Sequence, residues 1–122
     1  MKVALITGAA RGIGAATAKE FANAGYALSI LDRDGDELKK SASLLEESGA
    51  EVLSLVADLS SLDQVEDAVK QTAERFGRID ALINNAAARE LETIREITPA
   101  NWKLAVDVNL TAPALLSKCS AP

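Results

Sequence analysis

Four short apolar runs, each followed by a segment of helical periodicity, leave this chain few ways to fold. Val3 to Ile6, Ala27 to Leu31, Val52 to Val56 and Ile79 to Ile83 have strand length and little polar alternation, as strands covered on both faces do. Between them Ile13, Thr17, Phe21 and Ala24 recur at helical spacing, then Leu38, Ala42 and Leu45, then Leu62, Val65, Val69, Thr72 and Phe76. These stripes stop at Gly25, Gly49 and Gly77, residues suited to a helix C-terminus. Start signals agree: Asp34 is spaced to cap the Glu37 amide, Ser61 and Gln64 fit a capping box, and Thr98-Pro99 opens a long helix running towards Leu116. The order β-α-β-α-β-α-β-α specifies a parallel sheet with crossover helices.

Residues 1–122 suffice for one domain, which commonly has ~100–150 residues. No internal repeat or linker composition divides it. With 48% hydrophobic and 25% charged residues the composition is that of a globular domain, and no apolar run approaches the ~20 residues that span a bilayer. The apolar stretch after Met1-Lys2 is too short for a signal-peptide core, so a cytoplasmic protein without a membrane partner is expected. A single cysteine, Cys119, and no histidine leave neither an internal disulfide nor a zinc site. A net charge of −5 and pI of 4.7 argue against a nucleic-acid partner. An anionic ligand needs a local device instead.

Thr7-Gly8-Ala9-Ala10-Arg11-Gly12-Ile13-Gly14 is such a device. It joins the first strand to the first helix, where backbone amides can cradle a diphosphate and glycine lets the main chain approach it. The spacing lacks the Gly-Lys-Ser/Thr ending of a triphosphate loop, which favours a dinucleotide and a Rossmann-type doubly wound sheet. The bland alternative is a tight strand-to-helix turn. Against it stands Asp32, at the end of the second strand, where a carboxylate can accept hydrogen bonds from an adenosine ribose. Its charge favours NAD over NADP. Arg33 beside it and Arg11 in the loop are each able to pair with a 2′-phosphate, so NADP stays open.

Four features together resemble the short-chain dehydrogenase/reductase family: Thr7-Gly8-x-x-x-Gly12-Ile13-Gly14, Asp58-Leu59 after the third strand, Asn84-Asn85-Ala86 after the fourth, and Asn109 in Val108-Asn109-Leu110. The resemblance covers essentially the whole chain except the last six residues. It implies an NAD(P)-dependent oxidoreductase acting on a small alcohol or carbonyl substrate. Residue by residue, it implies that Gly8 to Gly14 hold the pyrophosphate, Asp32 the ribose, and Asp58 with Leu59 the adenine. Asn84 and Asn85 would brace sheet and cofactor, and Asn109 would help hold a water in a proton relay. A homo-oligomer is implied for the full-length form, with the helix after Pro99 as its contact. The family usually has glycine after Asn-Asn-Ala, whereas Ala87 stands here. Alone, Asn84-Asn85 reads as a turn, Asn109 reads equally as a residue bonded to a neighbouring carbonyl, and Trp102 reads as a helix-start packing residue rather than a substrate contact.

The family's Ser and Tyr-x-x-x-Lys are absent from these residues: Tyr26 is followed four positions on by Ile30. A truncated sheet of about four strands is therefore expected, with Ile79 to Ile83 as an unpaired edge and with no catalysis by the chain alone. A non-catalytic dinucleotide-binding or interaction module is the competing reading, and the coding DNA beyond Pro122 separates the two. A phosphorylatable receiver is disfavoured because the first strand ends in Thr-Gly rather than acidic residues.

Overall fold

The computed structural model describes residues 1–89 and 92–122, and its apolar runs form one parallel sheet. In chain order the elements are β1 (Val3–Thr7), α1 (Gly12–Asn23), β2 (Ala27–Asp32), α2 (Gly35–Glu47), β3 (Val52–Val56), α3 (Leu62–Phe76), β4 (Ala81–Ile83), α4 (Pro99–Val106), a π-helical turn (Asp107–Thr111) and α5 (Ala112–Ser120). The strands lie in the order β3-β2-β1-β4. The chain thus moves outward through β1, β2 and β3, then crosses back to lay β4 against the other side of β1. That reversal opens a crevice between the loops after β1 and β4.

Alternation along the strands divides the core in two. Ala4, Ile6, Leu28 and Ile30 face α1 and α2, meeting Ala18, Leu38, Ala42 and Leu45. Leu5, Leu31 and Leu55 face the other way, against Val65, Ala68 and Val69 of α3 and Ala112 and Leu116 of α5. Each face receives a helical stripe of matching period, and a fully buried leucine contributes about 1.5–3 kcal/mol. Ser29 breaks the apolar run of β2 and is completely buried. Thr72 explains it: the two hydroxyls are 2.7 Å apart, and because Thr72 donates to the Ala68 carbonyl at 2.8 Å, Ser29 is the donor of the pair. Both polar groups are satisfied without water.

The caps form as their sequences suggest. The Asp34 carboxylate accepts from the Glu37 amide at 3.2 Å, Ser61 from Gln64 at 3.4 Å and Thr98 from Asn101 at 3.1 Å. Two expectations need correction. The fourth strand is shorter than Ile79 to Ile83, because the Asp80 carboxylate takes the Val3 N–H at 2.8 Å where a ladder carbonyl would otherwise sit. The helix after Pro99 is interrupted: Pro113 has no N–H to give the Asn109 carbonyl, and the turn just before it widens to π geometry. No helix among the described residues is long and apolar enough to cross a membrane.

Candidate functional site

At the carboxyl ends of the strands lies an open cleft. Gly8 after β1, Asp32 and Arg33 closing β2, Asp58 and Leu59 after β3, and Ala86 after β4 all line it. Val108 of the π-helical turn and Ala88 close the far wall. Loops following four strands therefore meet in one hollow.

The neck of the cleft is built by Thr7 and Asn85. The Thr7 hydroxyl accepts from the amides of Asn85 and Ala86, each at 3.0 Å, and the Asn85 side-chain amide donates to the carbonyls of Thr7 and Gly8 at 3.2 Å. These bonds lock the two loops together. Such a junction tolerates no bulk. A Cβ on Gly8 would stand 2.8 Å from the Asn85 amide nitrogen, and one on Gly14 would stand 2.0 Å from the Gly8 carbonyl oxygen. Gly8 also has φ +65°, a conformation that only glycine adopts at little cost.

Gly14 is buried at this junction, whereas Arg11, Gly12 and Ile13 are exposed and lie outside the lining. Helix α1 opens without a side-chain cap, since Arg11 at its N-cap makes none. First-turn amides have no intrahelical partner and carry the positive end of the helix dipole. A Cβ on Gly12 would meet nothing within 4 Å, so the approach to those amides is open.

Two carboxylates face the cleft in different settings. Asp32 is half-buried and accepts one backbone N–H on each oxygen, from Ala10 at 3.2 Å and Asp34 at 3.0 Å. Asp58 is exposed and accepts from the amide and hydroxyl of Ser60 at 2.9 and 2.7 Å. Those two bonds, and more weakly the charge of Arg33, hold its carboxyl below the usual carboxylate range. The Gln64 side chain does not return to Ser61 as a capping box would have it. It accepts the Asp58 amide at 2.7 Å and so fixes the turn that presents Asp58 and Leu59. Ser41 of α2, which is buried, donates to the Ala9 carbonyl at 3.0 Å and anchors the glycine-rich loop from below. Ser41 carries no sequence signal for its contact, which joins segments 32 residues apart, and the capping-box spacing of Gln64 pointed to Ser61 rather than to Asp58.

Asn84 is not in the cleft. It is exposed and lines a groove at the sheet edge with Leu82, Ser117 and Ser120. Ala87 takes a negative φ, so the position where the family has glycine accommodates a side chain here. Asn109 sits in the π-helical turn, where its side chain bonds both backbone groups of Ala88, accepting from N–H at 2.8 Å and donating to C=O at 2.9 Å. Trp102 is exposed on α4, which corrects its reading as a packing residue, and it does not line the cleft.

A family model described as short chain dehydrogenase matches residues 2–122. A (2S)-[(R)-hydroxy(phenyl)methyl]succinyl-CoA dehydrogenase subunit of Thauera aromatica is 38% identical over 96% of this chain and 47% of its own length. A CLA biosynthesis dehydrogenase/reductase of Lactiplantibacillus plantarum is 40% identical over 99% of this chain and 42% of its own. Among solved structures, a metagenomic short-chain oxidoreductase in complex with NADP superposes with a TM-score of 0.94 at 34% identity, over 99% of this chain and 55% of that one. The chain thus spans about half the length of the relatives it matches. Similarity along nearly every residue, joined to the sheet order and the four-loop cleft, shows that the chain belongs to the short-chain dehydrogenase family.

Proposed function

We propose that this chain is the cofactor-holding part of an oxidoreductase that moves hydride between a nicotinamide dinucleotide and the alcohol or carbonyl carbon of a small substrate. The observation that carries the reading is the single cleft beneath four strand ends, with Gly8 and Gly14 packed so closely on Asn85 that the loop admits no side chain there. The residues present fit a dinucleotide. Uncapped amides at the start of α1, reached past the bare Cα of Gly12, suit a pyrophosphate, to which Gly8, Gly12, Ile13 and Gly14 are assigned. The Asp32 carboxylate is assigned to the adenosine ribose, and the Asp58 carboxylate with the Leu59 backbone to the adenine. Thr7, Asn85 and Ala86 brace this wall through the bonds described above. Asn84, which lines the edge groove and not the cleft, is assigned to bracing the sheet edge beside it.

When bound, the nicotinamide supplies the carbon that gives or takes hydride. Asn109 is held by Ala88 at the far wall while remaining exposed, which suits a role in positioning a water for proton transfer. No residue of this chain is assigned the proton exchange at the substrate oxygen. Tyr26 packs edge-on against Phe21, ring centroids 4.9 Å apart, remote from the cleft lining. We therefore read the 122-residue chain by itself as binding without turnover. The Asp32 carboxylate opposes a 2′-phosphate and favours NAD, whereas the solved neighbours described with a nucleotide are in complex with NADP, NADPH or 5-hydroxy-NADP, which leans the choice towards NADP.

Titrating NADH and NADPH into the chain, read by the nicotinamide fluorescence, tests both parts. Saturable binding is expected, with NADH the tighter ligand where the Asp32 charge decides, and Asp32→Ala should shrink that preference. Absence of saturable binding by either nucleotide overturns the dinucleotide reading, equal affinities overturn the role given to Asp32, and oxidation of NADH with any of a panel of aldehydes and ketones overturns binding without turnover.

A further inference from the structure

The head of α2 is tied to the glycine-rich loop by charge as well as by backbone. Arg11, exposed at the head of α1, pairs through its guanidinium with the Asp34 carboxylate. Asp34 is fixed in place from two further directions. Its carboxylate caps α2 by accepting the Glu37 amide, and its own amide donates to Asp32 at 3.0 Å. The other oxygen of Asp32 takes the Ala10 amide at 3.2 Å. Residues 10 and 11 of the loop are thereby bonded to residues 32 and 34 at the end of β2, beside the cleft lined by Asp32 and Arg33. The Glu37 amide first, then Arg11, keeps the Asp34 carboxyl below the usual carboxylate range, so it is ionised at neutral pH.

We infer that Asp34 sets the preference between the two nicotinamide nucleotides by occupying Arg11, the guanidinium that a ribose 2′-phosphate would otherwise recruit. The inference rests on the dinucleotide reading of the cleft and deepens it. A guanidinium presents a planar fork that one anion can engage in two parallel bonds. While Asp34 holds it, an incoming 2′-phosphate must either displace a carboxylate already anchored at the helix N-terminus or sit as a third anion beside Asp32 and Asp34. NAD brings no such group and is indifferent to the pair. Because Arg11 and Asp34 keep 65% and 41% of their side-chain surface exposed, the pair is a weak one. Asp34 therefore biases the choice and does not dictate it: a shift of about fivefold is the size an exposed pair can supply.

The test is a comparison of NADH and NADPH dissociation constants in the chain and four variants. Asp34→Asn and Asp34→Ser remove the charge while keeping a good N-cap, so their melting temperatures should stay close to that of the unmodified chain. Both should tighten NADPH about fivefold and change NADH by less than about twofold. Adding Arg11→Ala to Asp34→Asn should abolish the gain, and adding Arg33→Ala instead should leave it in place. Unchanged NADPH affinity in both single variants overturns the inference. So does a gain that survives without Arg11, since that would reflect removal of negative charge alone, or a gain lost without Arg33, which would make Arg33 the phosphate's partner. If the unmodified chain binds neither nucleotide, the dinucleotide reading itself has failed and the inference falls with it. Where it binds NADH but the ratio is unmoved by the Asp34 changes, only the inference fails.

Discussion

Asp80 does with its side chain what a ladder carbonyl does elsewhere in the sheet. Its carboxylate takes the Val3 N–H at 2.8 Å, its own amide donates to the Val3 carbonyl at 2.8 Å, and Arg78 closes on it with bonds of 2.8 and 2.6 Å. The Arg78 guanidinium, and after it the Val3 amide, lower its carboxyl from 3.8 to about 2. A carboxylate whose pKa is lower folded than unfolded stabilises the fold above the unfolded value and loses that contribution as pH falls through the folded one. Its contribution is thus complete above about pH 4 and disappears towards pH 2. Asp80→Asn should lower the melting temperature at neutral pH and flatten its decline between pH 4 and pH 2 in thermal melts followed by circular dichroism. Superimposable declines for the two proteins would show that the bond contributes nothing. Nothing in the sequence singles out Asp80, which stands inside an apolar run and meets a partner 77 residues away. Gly8, Asp32 and Asp58 were legible for the opposite reason: each stands where a strand run stops, and strand ends of a parallel sheet face one crevice.

At the level of elements, periodicity and caps located α1, α2 and α3 to within about two residues, because each stripe is amphipathic and bounded by local signals. The helical stretch from Pro99 to Ser120 was legible as helix but not as a broken one. Its signal was present in Pro113, which removes one i to i−4 bond and lets the preceding turn open. That wide turn carries Asn109, whose two bonds to Ala88 are the only side-chain hydrogen bonds among the described residues from the turn to the strand-end loop. Asn109→Ala should cost about 1–2 kcal/mol in urea unfolding, as expected for two modest bonds at an exposed site. Asn109→Asp, which keeps the acceptor and loses the donor, should fall between the two. An unchanged midpoint in both variants would mean that the turn is set by Pro113 alone. The outcome bears on the proposed function because this link ties the π-helical turn to Ala88, which lines the cleft.

For the whole molecule, the sheet order leaves β3 at one border and β4 at the other. At the β4 border, Ile79, Ala81 and Leu82 line an open groove opposite Ser117 and Ser120 of α5, and the Ser120 hydroxyl is buried without a hydrogen-bond partner. Half-buried apolar residues beside unpaired backbone groups are a template for strand addition. The chain should therefore self-associate as its concentration rises, by sedimentation velocity, with β4 amides gaining protection from hydrogen exchange in the associated form. Asn84→Lys sharpens the test, since Asn84 is exposed beside this groove and charge on an edge opposes pairing. The substitution reduces the net charge from −5 to −4, and weaker overall repulsion would by itself promote association. A larger monomer fraction in the variant thus isolates the edge as the cause, because the general electrostatic effect has the opposite sign. Equal or greater association would instead place the contact elsewhere, with the exposed Trp102 and Leu110 of the α4 to π-turn segment as the next surface to alter.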